Sequence, residues 1–249
     1  MTFRDRTRRF DGALRADSAI WGIPRSVAWF LLIVPFVGGA LVAATVLSRP
    51  VYHFLVDEDH VIEWLQFLVI LAASAVFLLT AVRAARVGRK RLAVLFVLVA
   101  GASFIVAGEE ISWGQRILGF ATPEALGNVN HQDETNIHNI GIVQRAFNIA
   151  ELAAGLVGFI LPLLWLSGAR RSGLSRIDPI LIPPLSTVSL FFLPFAYRAF
   201  RALFLPEAGE RITEYGEWPE LTLYAGVLIV GWLLFRRLGH HRTAALAAT

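Results

Sequence analysis

The sequence predicts an all-α polytopic membrane protein, six transmembrane helices with both termini on the cytoplasmic side. Three observations carry that prediction. Of 249 residues, 56% are hydrophobic and the mean hydropathy is +0.60, more apolar than a soluble domain of this size with a polar surface to cover. Six apolar stretches are each long enough to cross roughly 30 Å of hydrocarbon at about 1.5 Å per residue. The Lys and Arg residues fall in alternate connections between those stretches, as they do when short cytoplasmic loops hold the positive charge.

In chain order, residues 1–25 form a basic cytoplasmic arm with Phe3, Phe10, Ile20 and Trp21 among its arginines. Such an arm either lies on the inner leaflet as an amphipathic segment or serves only as a topology signal, and the second is the simpler expectation. Residues 26–238 make the membrane domain. Its predicted spans are Val27–Leu47, Val61–Val82, Leu92–Ala107, Ile142–Leu166, Ile180–Leu205 and Trp218–Phe235. The first is long and closes on no clean small-residue cleavage site, so a retained helix is expected in place of a signal peptide. Asp59 is the expected N-cap of the second span, with Asp57, Glu58 and His60 beside it. Pro183, Pro184 and Pro194 predict that the fifth span is kinked or broken, and Pro219 marks the first turn of the sixth and makes Glu220 a partner for its dipole. Residues 239–249 are a cytoplasmic tail.

With the N-terminus inside, 17 of the 23 basic residues face the cytoplasm, while 15 of the 19 acids lie outside or within the membrane. The net charge of +4 therefore reports topology and contact with membrane lipids, and no nucleic-acid partner is expected. The absence of cysteine excludes disulfides, thiolate metal sites and cysteine nucleophiles. HExxH, a phosphate-binding glycine loop and GxSxG are likewise missing.

Chemistry is concentrated in the outer polar loop, 109–141. Glu109 and Glu110 follow directly on an apolar run, where a carboxylate is costly unless paired, hydrated or bound. Trp113 and Arg116 have the spacing of interfacial anchors, and Thr122, Pro123 and Glu124 read as a helix start. Glu134 and His138 are four residues apart and share a face on a helical turn, a spacing that suits two ligands of one metal. With Glu110 and His131 they form a candidate site for zinc, iron or manganese. The competing reading is a polar cap in which Asn128, Asn130, Asn136 and Asn139 satisfy backbone groups in turns.

Inside the membrane, Glu151 lies roughly 13 Å into the fourth span, and Arg198 and Arg201 lie in the outer half of the fifth. Ionisable groups at that depth face the bundle interior, so Glu151 is expected to pair with one of these arginines. Glu63, one turn into the second span, is a further candidate, and Glu217 is a weaker one.

The blocks GEEISWGQRILGF, TPE and ETNIHN, with Glu58-Asp59-His60-Val61-Ile62-Glu63-Trp64 at the start of the second span, resemble a group of bacterial multi-pass membrane proteins. The resemblance covers about a third of the chain. It implies a shared architecture in a bacterial cytoplasmic membrane, gives Glu109, Glu110, Trp113, Gln115, Arg116, Glu134, Asn136 and His138 family status, and brings no reaction with it.

The expected site is an extracytoplasmic pocket in which Glu109, Glu110, Glu134 and His138 act as catalytic groups, with or without a divalent metal, on a lipid or lipid-linked substrate. Trp113, Gln115, Arg116, Asn136, Glu63, Glu151 and Arg198 are its candidate substrate-binding residues. A proton-coupled carrier lined by Glu151, Arg198 and Glu63 is the alternative, although no inverted repeat is visible. An accessory subunit, with a protein partner or a second copy on its polar outer surface, is the third. The orientation itself predicts that Ala125→Cys reacts with an impermeant thiol reagent on intact spheroplasts and Ser172→Cys does not; the reverse labelling pattern rules the topology out.

Overall fold

The computed structural model describes residues 2–56, 60–124, 135–137, 140–167, 177–205 and 215–246. The described residues are helical, with no strand among them. In order they are α1 (Phe3–Trp21), α2 (Arg25–Ala44), α3 (Arg49–Leu55), α4 (Val61–Arg86), α5 (Lys90–Glu110), α6 (Gln115–Leu118), α7 (Gly141–Leu166), α8 (Val188–Phe204) and α9 (Glu217–Leu246). Six stretches are long and apolar enough to cross a membrane: Arg25–Leu47, Val61–Arg86, Lys90–Glu110, Gly141–Leu166, Pro179–Phe204 and Glu217–Gly239. They coincide with the six predicted from hydropathy, because each is apolar enough on average over a membrane-spanning length and is bounded by charge or turn residues. Many large apolar side chains on these helices, such as Phe30, Leu41, Leu98 and Ile149, face outward as they would toward lipid.

Helices α4, α5 and α9 form one packed group, and α7 and α8 form a second that meets it through α9. Without a hydrophobic force between helices in lipid, close approach depends on small residues and interhelical hydrogen bonds. Gly155 and Gly158 of α7 supply the first. A Cβ at Gly155 would lie 2.9 Å from the backbone nitrogen of Phe195, and Phe191 fills the place beside Gly158. Ser74 supplies the second, donating from α4 to the Ala100 carbonyl of α5 at 2.8 Å.

Pro35 shows how a helix breaker is put to use. Without an N–H it leaves the Leu31 carbonyl of α2 without its helical donor, and the Ser189 hydroxyl of α8 donates there at 3.0 Å. The Pro35 carbonyl in turn accepts from the Trp218 indole at 2.8 Å, the ring lying flat against Gly38 and Gly39. The proline-rich start of the fifth span breaks as expected: 3₁₀ turns at Pro179–Leu181 and Leu185–Thr187 precede α8.

The N-terminal arm is more than a topology signal. Thr2 and Asp5 form a capping box that starts α1, and Gly22, at φ 64°, ends it. Leu14, Ser18 and Trp21 are buried against the bundle, and Asp17 accepts from the backbone N–H of Leu185 at 2.7 Å. Burial pushes the Asp17 carboxyl above its usual value, opposed by that N–H and by Arg237. Arg237 also lies 4.8 Å over the Trp21 ring. Hydropathy cannot reveal this docking, because an arm that reads as polar overall still hides one buried face.

Charge separates to the two ends of the bundle. One end carries Arg83 and Arg86 at the close of α4, with Arg83 donating to the Phe235 carbonyl at 2.7 Å, and an Arg89–Asp178 pair at 3.2 Å. The other end carries acids in the first turns of α4 and α9 and at the close of α5. Because α7 and α8 meet through bare backbone, Gly155→Leu is expected to lower stability by roughly 1–3 kcal/mol, read as a lower melting temperature in detergent, with Gly101→Leu, where a Cβ would meet nothing, as the neutral control.

Candidate functional site

The acidic end holds two distinct polar assemblies, and they begin with neighbouring residues. Successive side chains on a helix point about 100° apart. Glu109 and Glu110, the last two residues of α5, therefore serve different purposes.

Glu109 faces the polar loop that follows α5. After α5 the chain reverses through Ser112 (φ 47°), Trp113 (φ 55°) and Gly114 (φ 80°), which swings the Trp113 ring back over Gly108. There the indole N–H donates to Glu109 Oε1 at 2.7 Å, while the backbone N–H of Ile137 donates to Glu109 Oε2 at 2.7 Å. Asn136, fully buried, donates to the Ser112 hydroxyl at 3.1 Å. Gln115 donates to Thr122 at 2.7 Å and accepts from the backbone N–H and hydroxyl of Thr135 at 2.6 and 2.7 Å. The GEEISWGQ block and the stretch Thr135, Asn136 and Ile137 thus form one clasp, each supplying the other's missing donors and acceptors. Both Glu109 oxygens are engaged in it, which makes Glu109 a holder of the loop. The candidate substrate-binding residues Trp113, Gln115 and Asn136 belong to the same clasp.

Glu110 faces the bundle. It accepts from the Tyr224 hydroxyl of α9 at 2.8 Å and lies within electrostatic reach of Glu220, Glu63 and Glu151. Glu217 is within reach of Glu220, Glu110 and Glu63, and Gln66 of α4 donates to its backbone carbonyl at 2.8 Å. Five carboxylates from four helices therefore share one region.

Arg198 of α8 is the cation set among them. Its Nε donates to Glu151 Oε2 at 2.5 Å, and its Nη2 is paired with Glu220 Oε1. The three side chains are only 11–17% exposed. Glu151 is the eleventh residue of α7 and Arg198 stands six before the end of α8, about 15 and 9 Å from those helix ends at helical rise. The expected Glu151–Arg198 pair is present. Glu220 differs from its expected role as a dipole partner, since the guanidinium takes its carboxylate across the helix interface.

Gln66 and Tyr224 are the members sequence reasoning missed. Each sits inside an apolar helix one turn from an acid, Gln66 after Glu63 and Tyr224 after Glu220, and that i, i+3 or i, i+4 spacing is the signal that could have found them.

The divalent-metal expectation finds no support here. Among the described residues no three His, Asp or Glu side chains converge as a metal site, and the neighbours of Glu110 are carboxylates and a tyrosine. Of the remaining candidates, Glu134, His138, His131 and the side chain of Arg116 lie outside the described residues, as do Asp57, Glu58 and Asp59; the N-cap position of α4 is taken by His60 and not by the expected Asp59, because the helix starts one residue later.

Compared with known proteins, the chain matches no family model, no curated protein and no solved structure. The site's own geometry carries the functional argument.

Removing one partner of a buried ion pair costs roughly 3–5 kcal/mol, since it strands the other charge. Arg198→Met is therefore expected to depress the detergent melting temperature sharply, and Glu151→Gln with Glu220→Gln on the same background to recover most of the loss. A melting temperature unmoved by Arg198→Met contradicts the cluster.

Proposed function

We propose that this chain is a proton-coupled carrier whose working site is the intramembrane cluster of Glu63, Glu110, Glu151, Glu217 and Glu220 around Arg198. One observation supports the reading above the others: among the described residues, five carboxylates share a membrane-embedded region in which the Arg198 guanidinium bridges two of them. In low dielectric such an excess is balanced only by taking up positive charge, and ionisable groups so placed mark ion and proton paths. Protons serve that purpose reversibly.

The positive-inside rule places the basic end in the cytoplasm and the acidic end outside, in the bacterial inner membrane that the resemblance implies. The cluster then opens toward the extracytoplasmic side. Proton uptake at Glu151 or Glu220 weakens that residue's hold on Arg198. This frees α7 or α9 from α8 at the acidic end, while the contact of Gly155 and Gly158 with Phe191 and Phe195 remains as a pivot.

The lipid-enzyme reading is weaker because its outer catalytic set loses Glu109 to the loop clasp. The test is electrical. Proteoliposomes on a solid-supported membrane, exposed to a solute library under a pH gradient, are expected to give a solute-evoked current that follows the gradient and that Glu151→Gln or Arg198→Ala reduces at least tenfold. If no solute evokes current, or if both variants carry it undiminished, the proposal fails.

A further inference from the structure

The cluster has two halves with different chemistry. Arg198 occupies one, between Glu151 and Glu220. The other half is made by Glu110, Glu217 and Gln66, and the largest electrostatic influences on both of these glutamates come from other carboxylates.

Gln66 is the informative residue of that second half. It is completely buried, and its orientation is dictated by its neighbour: the Glu217 carbonyl can only accept, so the amide N–H₂ must face it, at 2.8 Å. The same amide group lies against the Glu217 carboxylate. The amide oxygen is left on the other side, and among the described residues Gln66 Oε1 has no hydrogen-bond partner. A buried acceptor left in this state costs about 1–3 kcal/mol, so something that donates is expected to fill it.

From these observations we infer that Gln66 Oε1, Glu217 and Glu110 form a binding subsite for a protonated amine, an organic ammonium ion that carries several N–H donors. The inference rests on the carrier reading and names its cargo class. Two features select this ligand. Among the described residues the groups left open are acceptors and anions, because the Tyr224 hydroxyl is committed to Glu110 and the Gln66 amide N–H₂ to Glu217. Gln66 Oε1 is a buried acceptor that calls for a hydrogen-bond donor, and an ammonium group brings several N–H donors along diverging bonds together with the positive charge that the two carboxylates call for. The same carboxylates would then hold either protons or the ammonium ion, which is the competition that an exchange of one for the other requires.

Equilibrium binding of radiolabelled methylammonium to the full-length protein in detergent tests the subsite without any transport. Saturable binding is expected, weakened at least tenfold in Gln66→Leu and in Glu217→Gln. Sodium and tetramethylammonium, which have no N–H to donate, are expected not to compete. Each variant is checked for a wild-type melting curve, and if Gln66→Leu does not fold, Glu217→Gln decides. The subsite is overturned if the wild type binds no methylammonium, if sodium competes equally well, or if folded variants bind as the wild type does. Failure of the carrier reading looks different: binding persists, but no solute current responds to Glu151→Gln or Arg198→Ala.

Discussion

A guanidinium held between two carboxylates inside a helix bundle constrains everything around it. Arg198 joins α8 to α7 through Glu151 and to α9 through Glu220. Each charge is costly in a membrane interior, and the three are tolerable only while they stay together. The helices that carry them therefore cannot slide or rotate independently. The glycine contact between α7 and α8 and the Trp218 wedge between α9 and α2 hold the spacing at which the guanidinium reaches both partners.

The surrounding acids change the meaning of that triad. A structural ion pair needs one carboxylate for one guanidinium, and two already exceed it. Glu63, Glu110 and Glu217 add three more in the same region, brought there by the first turns of α4 and α9 and the last residue of α5. Nothing about packing requires them, since apolar residues of similar volume would fill the space at lower cost. The proposed carrier reading draws on them for reversible uptake of protons, and of a cation that offers hydrogen-bond donors to Gln66 and its neighbours.

The loop clasp is a separate device with a structural task. Glu109 receives Trp113 and Ile137, Gln115 receives Thr135, and Asn136 reaches Ser112. Together they fold the segment after α5 onto itself and hold Ser112 to Gly114 in the left-handed turn that follows the helix. This orientation of α5 leaves Glu110 aimed at Tyr224. Two adjacent glutamates so alike in sequence are thus parted, Glu109 taking the Trp113 and Ile137 N–H groups and Glu110 the Tyr224 hydroxyl.

The sequence by itself determined the helical membrane class, the six spans, the segregation of charge and the pairing of Glu151 with an arginine. Each is a consequence of hydrophobic length or of the cost of an isolated charge, and both are properties of a single stretch of chain. The tertiary structure alone decided that α1 docks through Leu14, Ser18 and Trp21, and that Glu220 joins Arg198 instead of merely facing its own helix dipole. It also decided that Gln66 and Tyr224 enter the cluster and that Glu109 leaves it. Those outcomes depend on the rotation of one helix against another, which the Pro35 notch and the Gly155 contact set through backbone geometry. Periodicity locates an acid along a helix; which neighbours it meets is decided only when the helices pack.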